Sequence, residues 1–149
     1  DLEIDPFSIP HDTPDPVGFT IKTGSLKMGF CTDLGYPTAL VRAKLRDCDY
    51  LYVEANHEPE RVHASSRPLI YIRRVLGDTG HLSNGACGHL LASVHHPHLK
   101  HVHLAHLSSE CNSPETALMV VKTILEQHGI GIEMSVAFQD RISKAILFN

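Results

Sequence analysis

Five residues suited to proton transfer or metal binding recur at near-even spacing along the chain: His11, Asp33, Glu54, His81 and His106. The gaps of 22, 21, 27 and 25 residues each fit one strand plus a connection. Four of the five follow apolar runs that read as strands: His11 after Phe7-Ser8-Ile9-Pro10, Asp33 after Phe30-Cys31-Thr32, Glu54 after Val53, and His106 after Leu104-Ala105. In α/β sheets the crevice beyond the carboxyl ends of the strands is the usual place for a site. Imidazoles and carboxylates meeting there suit a borderline divalent ion such as zinc or manganese, and an imidazole is the usual general acid or base near neutral pH. Each residue also has a plainer role open to it. Asp33 can cap the turn Thr32-Asp33-Leu34-Gly35, His81 can be a loop residue before a helix, and His106 can be a hydrogen-bonded core histidine. Glu54 is harder to explain away, because ionised carboxylates are rarely buried unless paired.

The elements that must position these residues alternate in type. Residues 4 to 10 alternate and end in the turn His11-Asp12-Thr13-Pro14-Asp15-Pro16, followed by strands Val17 to Lys22 and Leu26 to Cys31, a β-meander. Pro37 to Arg46 reads as a short helix and Tyr50 to Val53 as a buried strand ending at Glu54. Helices follow at Pro68 to Val75 and at Asn84 to Val94, the latter capped by Ser83, then a strand at Val102 to Ala105. Pro114 to His128 is the strongest helix, with Ser113 as cap and Ala117, Leu118, Val121, Ile124 and Leu125 on one stripe. Glu133 to Phe138 and Lys144 to Phe148 read as a closing strand pair. The expectation is a single α/β domain over residues 1–149, one mixed sheet with helices packed on it.

Composition narrows the class. A chain of 149 residues with 42% apolar and 20% charged residues can build a core without staples, and no run approaches the roughly 18 apolar residues of a membrane span. No export signal is visible at the start. Thirteen Lys and Arg against 17 Asp and Glu give a net charge of −4, so any polyanion must be met by a local patch. Cys31, Cys48, Cys87 and Cys111 form no C-x-x-C, which points to reduced thiols and a cytoplasmic setting. Histidine, at 12 residues, is the outlier.

Five ordered motifs, His11-Asp12-Thr13-Pro14-Asp15-Pro16-Val17-Gly18-Phe19, Thr32-Asp33-Leu34-Gly35, Glu54-Ala55-Asn56-His57, Gly80-His81-Leu82-Ser83-Asn84 and Leu104-Ala105-His106-Leu107-Ser108, together resemble the metallo-β-lactamase-fold hydrolases. The specific likeness is to their YycJ/WalJ-like exonuclease branch, and it runs over nearly all of the chain. The resemblance implies that His11 and His106 are metal ligands and that Asp33 bridges two metals. It further implies that His81 is the non-ligand histidine acting at the scissile phosphate, oriented by Glu54. Two divalent ions, zinc or manganese, would activate a water and stabilise the attacking and leaving oxygens of a phosphodiester. A histidine held as imidazolium by a carboxylate would protonate the leaving alkoxide.

The His-x-His-x-Asp-His run of that family has no counterpart here; His95-His96-Pro97-His98 and His101-Val102-His103 lack the Asp-His that should follow. The chain therefore resembles the C-terminal half of an αββα sandwich, to be completed by an N-terminal half or a second subunit. Arg61, Arg67, Arg73 and Arg74 lie in a stretch free of Asp and Glu; Arg73 and Arg74 are the candidates for substrate phosphates, a solvated helix face being the alternative. The histidines from 95 to 103 read as a polar surface tract, Asp12 and Asp15 as turn residues, and His57 as a neighbour of the site. Cys111 stands where relatives commonly carry Asn. The expected function is a metal-dependent phosphodiesterase, an exonuclease acting on nucleic-acid ends, DNA in preference to RNA. The alternatives are hydrolysis of a small ester, lactone or thioester on the same fold, and a non-catalytic fragment or subunit that needs a partner.

Overall fold

Two hairpin connections and three helical crossovers build one six-stranded sheet in the computed structural model, which describes residues 1–143 and 145–147. β1 (Leu2–Ser8), β2 (Val17–Thr23) and β3 (Leu26–Cys31) form the antiparallel meander. Its second turn holds only Gly24 and Ser25; Gly24, at φ 57, takes the left-handed conformation that two-residue hairpins favour. From β3 onward the pairing is parallel, through β4 (Tyr50–Glu54), β5 (His101–Ala105) and β6 (Glu133–Val136), so spatial order equals chain order.

The crossovers are α1 (Ala39–Leu45) between β3 and β4, then α2 (Pro59–Ala64), α3 (Leu69–Leu76) and α4 (Asn84–Val94) before β5, and α5 (Pro114–Gln127) before β6. The hydroxyls of Thr38, Ser83 and Ser113 cap α1, α4 and α5 by accepting from the N–H groups of Val41, Ala86 and Thr116. α1, α4 and α5 pack side by side on one sheet face. Leu45, Leu90, Leu91 and Leu125 meet Leu51, Val53, Val102 and Leu104 there, all essentially without solvent exposure. α2 and α3 form a separate arm with a small core of its own, Val62, Ile72 and Val75 against Cys111.

Among the described residues no helix covers the other sheet face. Strand register places Leu2, Ile4, Phe19, Ile21, Met28, Phe30, Tyr50 and Tyr52 on it, and Leu2, Ile4 and Phe19 are 61%, 54% and 38% exposed. Among the described residues no helix is long and apolar enough to cross a membrane.

Three sequence expectations change. The short helix α2 is additional: a run of six residues is below the length at which an apolar period can be read. The closing strand pair is absent: β6 instead pairs with β5, residues 145–147 carry no strand, and Lys144 and Phe148 lie outside the described residues. The histidine tract is not uniformly solvated, because His103 is buried in β5 with its Nδ1 2.7 Å from the Tyr50 hydroxyl, and His96 Nε2 donates to the Cys48 carbonyl at 2.9 Å. Cys111, which stands where relatives commonly carry Asn, packs in the α2–α3 arm.

Leu51→Ala, which removes a side chain at the centre of the sheet and under the helices, is expected to cost about 2–5 kcal/mol in urea unfolding. Ile70→Ala, at a position 82% exposed, is expected to stay within about 0.5 kcal/mol.

Candidate metal and proton-transfer site

β1, β3, β4 and β5 run in one direction, with β2 opposed, so their carboxyl ends open on the same edge of the sheet. Glu54, the last residue of β4, is completely buried there. Its Oε2 accepts from the backbone N–H of Leu34 (3.1 Å) and of Leu82 (3.0 Å). Its Oε1 is 2.8 Å from His81 Nδ1 and 2.7 Å from His106 Nδ1. Burial alone pushes this carboxyl up, but the hydrogen bonds from His106, His81 and the Leu82 N–H outweigh it and bring the group to about 2. His106 is raised by its hydrogen bond to Glu54, against the opposing effect of burial.

With both Nδ1 atoms turned to Glu54, the Nε2 atoms of His81 and His106 are left for other work. Asp33 follows β3 at φ 62 and His106 follows β5 at φ 56, left-handed conformations in which the chain turns sharply off the strand. The Asp33 side chain also takes a hydrogen bond from Thr32 Oγ1 at 2.8 Å, so its turn role and its place in the site are compatible. Asp33 Oδ1 lies 3.6 Å from His106 Nδ1 and 3.8 Å from His11 Nε2. His11 is oriented by its Nδ1, 3.1 Å from the Gly80 carbonyl. The His81 ring stands between the other two, 5.2 Å from the centroids of His11 and of His106.

The five sequence candidates thus meet at one place. Asp33, Glu54, His81 and His106 each offer a ligand atom within 4.8 Å of the others, and His11 adjoins them through Asp33. Imidazole nitrogens with a carboxylate suit zinc or manganese. Glu54 is already committed to four hydrogen bonds and sits behind the imidazoles, as an orienting group for metal-ligating histidines does. Cys31, also close to Glu54, is held as a neutral thiol, pushed up to about 12 by burial, so no thiolate chemistry operates here.

Other candidates stand apart. His57 is buried, its Nδ1 is 3.3 Å from Asn56 Oδ1, and burial pushes it down to about 4; it is outside the group of ligand atoms. The arginines do not form one patch. Arg74 is paired bidentately with Asp12, Arg67 with Glu110, Arg61 reaches Thr116 Oγ1 at 3.2 Å, and Arg73 is exposed on α3. Asp12 therefore does more than turn the chain: it ties α3 to the loop carrying His11.

Sequence reading missed the braces behind the site. The side-chain amide of Asn112 donates to the carbonyls of Ala55 (2.8 Å) and Asn56 (3.0 Å), and the amide of Asn84 donates to Glu58 Oε1 (2.6 Å). Asn56 in turn donates to the His106 carbonyl at 2.6 Å. These bonds lock the segments after β4 and β5 together. The available signal was an Asn directly after each of two polar loop motifs, which is indistinguishable from turn chemistry until burial is known.

Among solved structures, the metallo-β-lactamase fold protein YhfI from Bacillus subtilis superposes with a TM-score of 0.66 over 91% of this chain and 46% of that one, at 15% identity. This chain has the architecture of about half a metallo-β-lactamase fold. Zn²⁺-bound PqqB from Methylobacterium extorquens, another such neighbour, gives a TM-score of 0.55 at 17% identity, over 90% of this chain and 45% of that one. In sequence, this chain matches exodeoxyribonuclease YycJ of Bacillus anthracis at 31% identity over 132 residues, 89% of this chain and 50% of that protein. Exodeoxyribonuclease WalJ of Streptococcus pneumoniae matches at 29% over the same length, 49% of its own. The chain spans about half the length of the curated relatives it matches. No family model matches it.

Because Glu54 is held below its ordinary value of 4.5, its contribution to stability is complete above that pH and is lost as the pH falls toward 2. His106, raised above its ordinary value of 6.5, contributes below that pH and loses its contribution as the pH rises through the folded-state value. Glu54→Gln places an amide N–H₂ against either two backbone N–H groups or two imidazoles. It is expected to cost about 1–3 kcal/mol at pH 7 and to flatten the loss of stability between pH 4.5 and 2, read from urea melts of the metal-free chain across pH.

Proposed function

We propose that this chain is the C-terminal half of a metal-dependent phosphodiester hydrolase, an exonuclease acting on nucleic-acid ends, DNA in preference to RNA. The observation that carries the proposal is the shared Glu54 oxygen. It fixes His81 and His106 in matched orientations beside Asp33 and His11 and so supports a division of labour between proton transfer and ligation. The names of the sequence relatives, exodeoxyribonucleases, point to the same class of substrate.

In this reading His11, Asp33 and His106 are the residues that would hold divalent ions, two of zinc or manganese, with Asp33 offering two oxygens to a bridging position. Such ions, when bound, polarise the phosphate and lower the pKa of an attacking water. Everything else is done by the chain's own groups. His81, oriented by its Nδ1–Glu54 bond, would present Nε2 to the leaving alkoxide as its proton donor. Glu54 is a positioning residue: it holds the His81 and His106 rings by their Nδ1 atoms and touches no substrate. Gly80 allows the loop carrying His81 to approach α3, since a Cβ there would lie 2.1 Å from the Arg74 carbonyl oxygen. Arg73, exposed on α3, remains the candidate for backbone phosphates, whereas Arg74, expected beside it, is taken up bidentately by Asp12.

The helix-free sheet face supports a second part of the proposal. An apolar face of this breadth needs a cover, and a second sheet, from an N-terminal half or another subunit, would bury it and bring further ligands. Activity is therefore expected from the chain combined with that half rather than from the chain alone.

In that assembly, chelation is expected to abolish cleavage of DNA ends and added Mn²⁺ or Zn²⁺ to restore it. Asp33→Ala should lose bound metal and activity together. His81→Ala should keep its metal, measured by elemental analysis, and lose about 10²–10⁴-fold on DNA but far less on a p-nitrophenyl phosphodiester, whose leaving group needs no proton. Equal losses on the two substrates would remove His81 from the proton-donor role.

A further inference from the structure

A groove of about 270 Å³ runs past the site, lined by His81 and His106 and also by Arg67, Tyr71 and Glu110. The last three belong to no part of the metal or proton chemistry. The guanidinium carbon of Arg67 lies over the Tyr71 ring, 5.3 Å from its centroid. Glu110 holds the edge of that guanidinium, accepting from Nε at 2.9 Å and from Nη2. In-plane pairing of this kind uses the edge N–H groups and leaves the flat faces of the guanidinium for stacking.

All three side chains are substantially exposed, and exposed ion pairs contribute little to stability. Their supports are nevertheless firm. Ser108 Oγ accepts from the N–H of Glu110 and of Cys111, Ser108 N–H donates to the Asn56 carbonyl at 2.8 Å, and Cys111 packs with Ile72 and Val75 of α3. A rigid, flat, charge-neutralised surface is thus held beside two site histidines. A phosphate would gain little from an arginine already paired with a carboxylate, whereas the face of a nucleobase stacks on guanidinium and aromatic planes without needing net charge. The volume falls just under the roughly 300–1,000 Å³ of pockets that take drug-sized ligands, which suits one nucleotide unit rather than a length of strand.

We propose that Arg67 and Tyr71 form a stacking platform for one nucleobase of the strand whose end is cleaved. The inference rests on the nuclease reading, and it makes the recognition sequence-tolerant, since every base offers a π face. Glu110 is the positioning residue that keeps the guanidinium flat.

The test is binding in EDTA, with no turnover, of a short single-stranded DNA carrying 2-aminopurine at its end and of the same strand with an abasic residue there. The unmodified chain is expected to quench the 2-aminopurine and to bind the intact strand roughly tenfold more tightly than the abasic one. Tyr71→Ala and Arg67→Ala should each abolish that difference by weakening the intact strand alone, while Tyr71→Phe, which keeps the ring, should preserve it. Equal binding of intact and abasic strands by the unmodified chain, or a Tyr71→Ala protein that still discriminates and quenches, overturns the platform while leaving the nuclease reading in place. Binding of neither strand removes the nucleic-acid reading and the platform with it. Loss of cleavage by the assembled enzyme with discrimination intact would overturn the hydrolytic reading only.

Discussion

The arrangement depends on one buried carboxylate that has been fully satisfied. Removing an ionised Glu from water costs several kcal/mol, and a single partner seldom repays that. Glu54 collects four hydrogen bonds from three separate segments, those carrying Leu34, His81 with Leu82, and His106. Each bond therefore serves two ends: it offsets desolvation of the carboxylate, and it fixes the segment that donates. Half-satisfaction would be worse than an apolar side chain, because the charge would remain buried without its donors. The three segments can only be placed correctly together or not at all, which makes the site a cooperative unit rather than a collection of loops.

The sheet supplies the other half of this constraint. Parallel pairing from β3 to β5 puts consecutive carboxyl ends beside one another, and β1 joins them because two antiparallel steps restore its direction. Side chains that are 21 or more residues apart in the chain thereby converge without any long loop. The price is local backbone strain: Asp33 and His106 adopt left-handed conformations just beyond their strands. Asp and His are both among the non-glycine residues enriched in that region, and the His106 carbonyl is held by Asn56.

Much of this was legible in the sequence because it is written in local chemistry. Ser83 and Ser113 announce helix starts, the run Tyr50-Leu51-Tyr52-Val53 announces a buried strand, and an acidic residue at its end asks for partners. Four of the five candidate residues could be placed just beyond strands by counting, and His81 in the loop before a helix. What could not be read was pairing between distant segments. Arg74 with Asp12, Arg67 with Glu110, and Asn112 with the segment after β4 are separated by 62, 43 and 56 or 57 residues, and no periodicity encodes them. The arginine run looked like one basic patch for the same reason, since its neutralising acids lie elsewhere in the chain. His103 was misread because a histidine inside a strand has the same neighbours in sequence whether its hydroxyl partner on the adjacent strand exists or not.

Charge decides how far the site can act alone. Of the three residues assigned to metal in our proposal, His11 and His106 ligate as neutral imidazoles and only Asp33 brings a negative charge. Glu54 adds one more behind them, already shared between two rings. Two divalent ions bring four positive charges to within a few ångströms of each other, and a water whose pKa is lowered adds at most one compensating charge. In that proposal a second ion would find few donors on this chain to offset its repulsion of the first. The same sheet that gathers these residues leaves its opposite face bare, with Ile4 and Phe19 exposed. In our proposal one element meets both needs, a second sheet docked on that face whose own strand ends reach the same edge. On this reasoning, affinity for the second ion and burial of the open face are gained in one step.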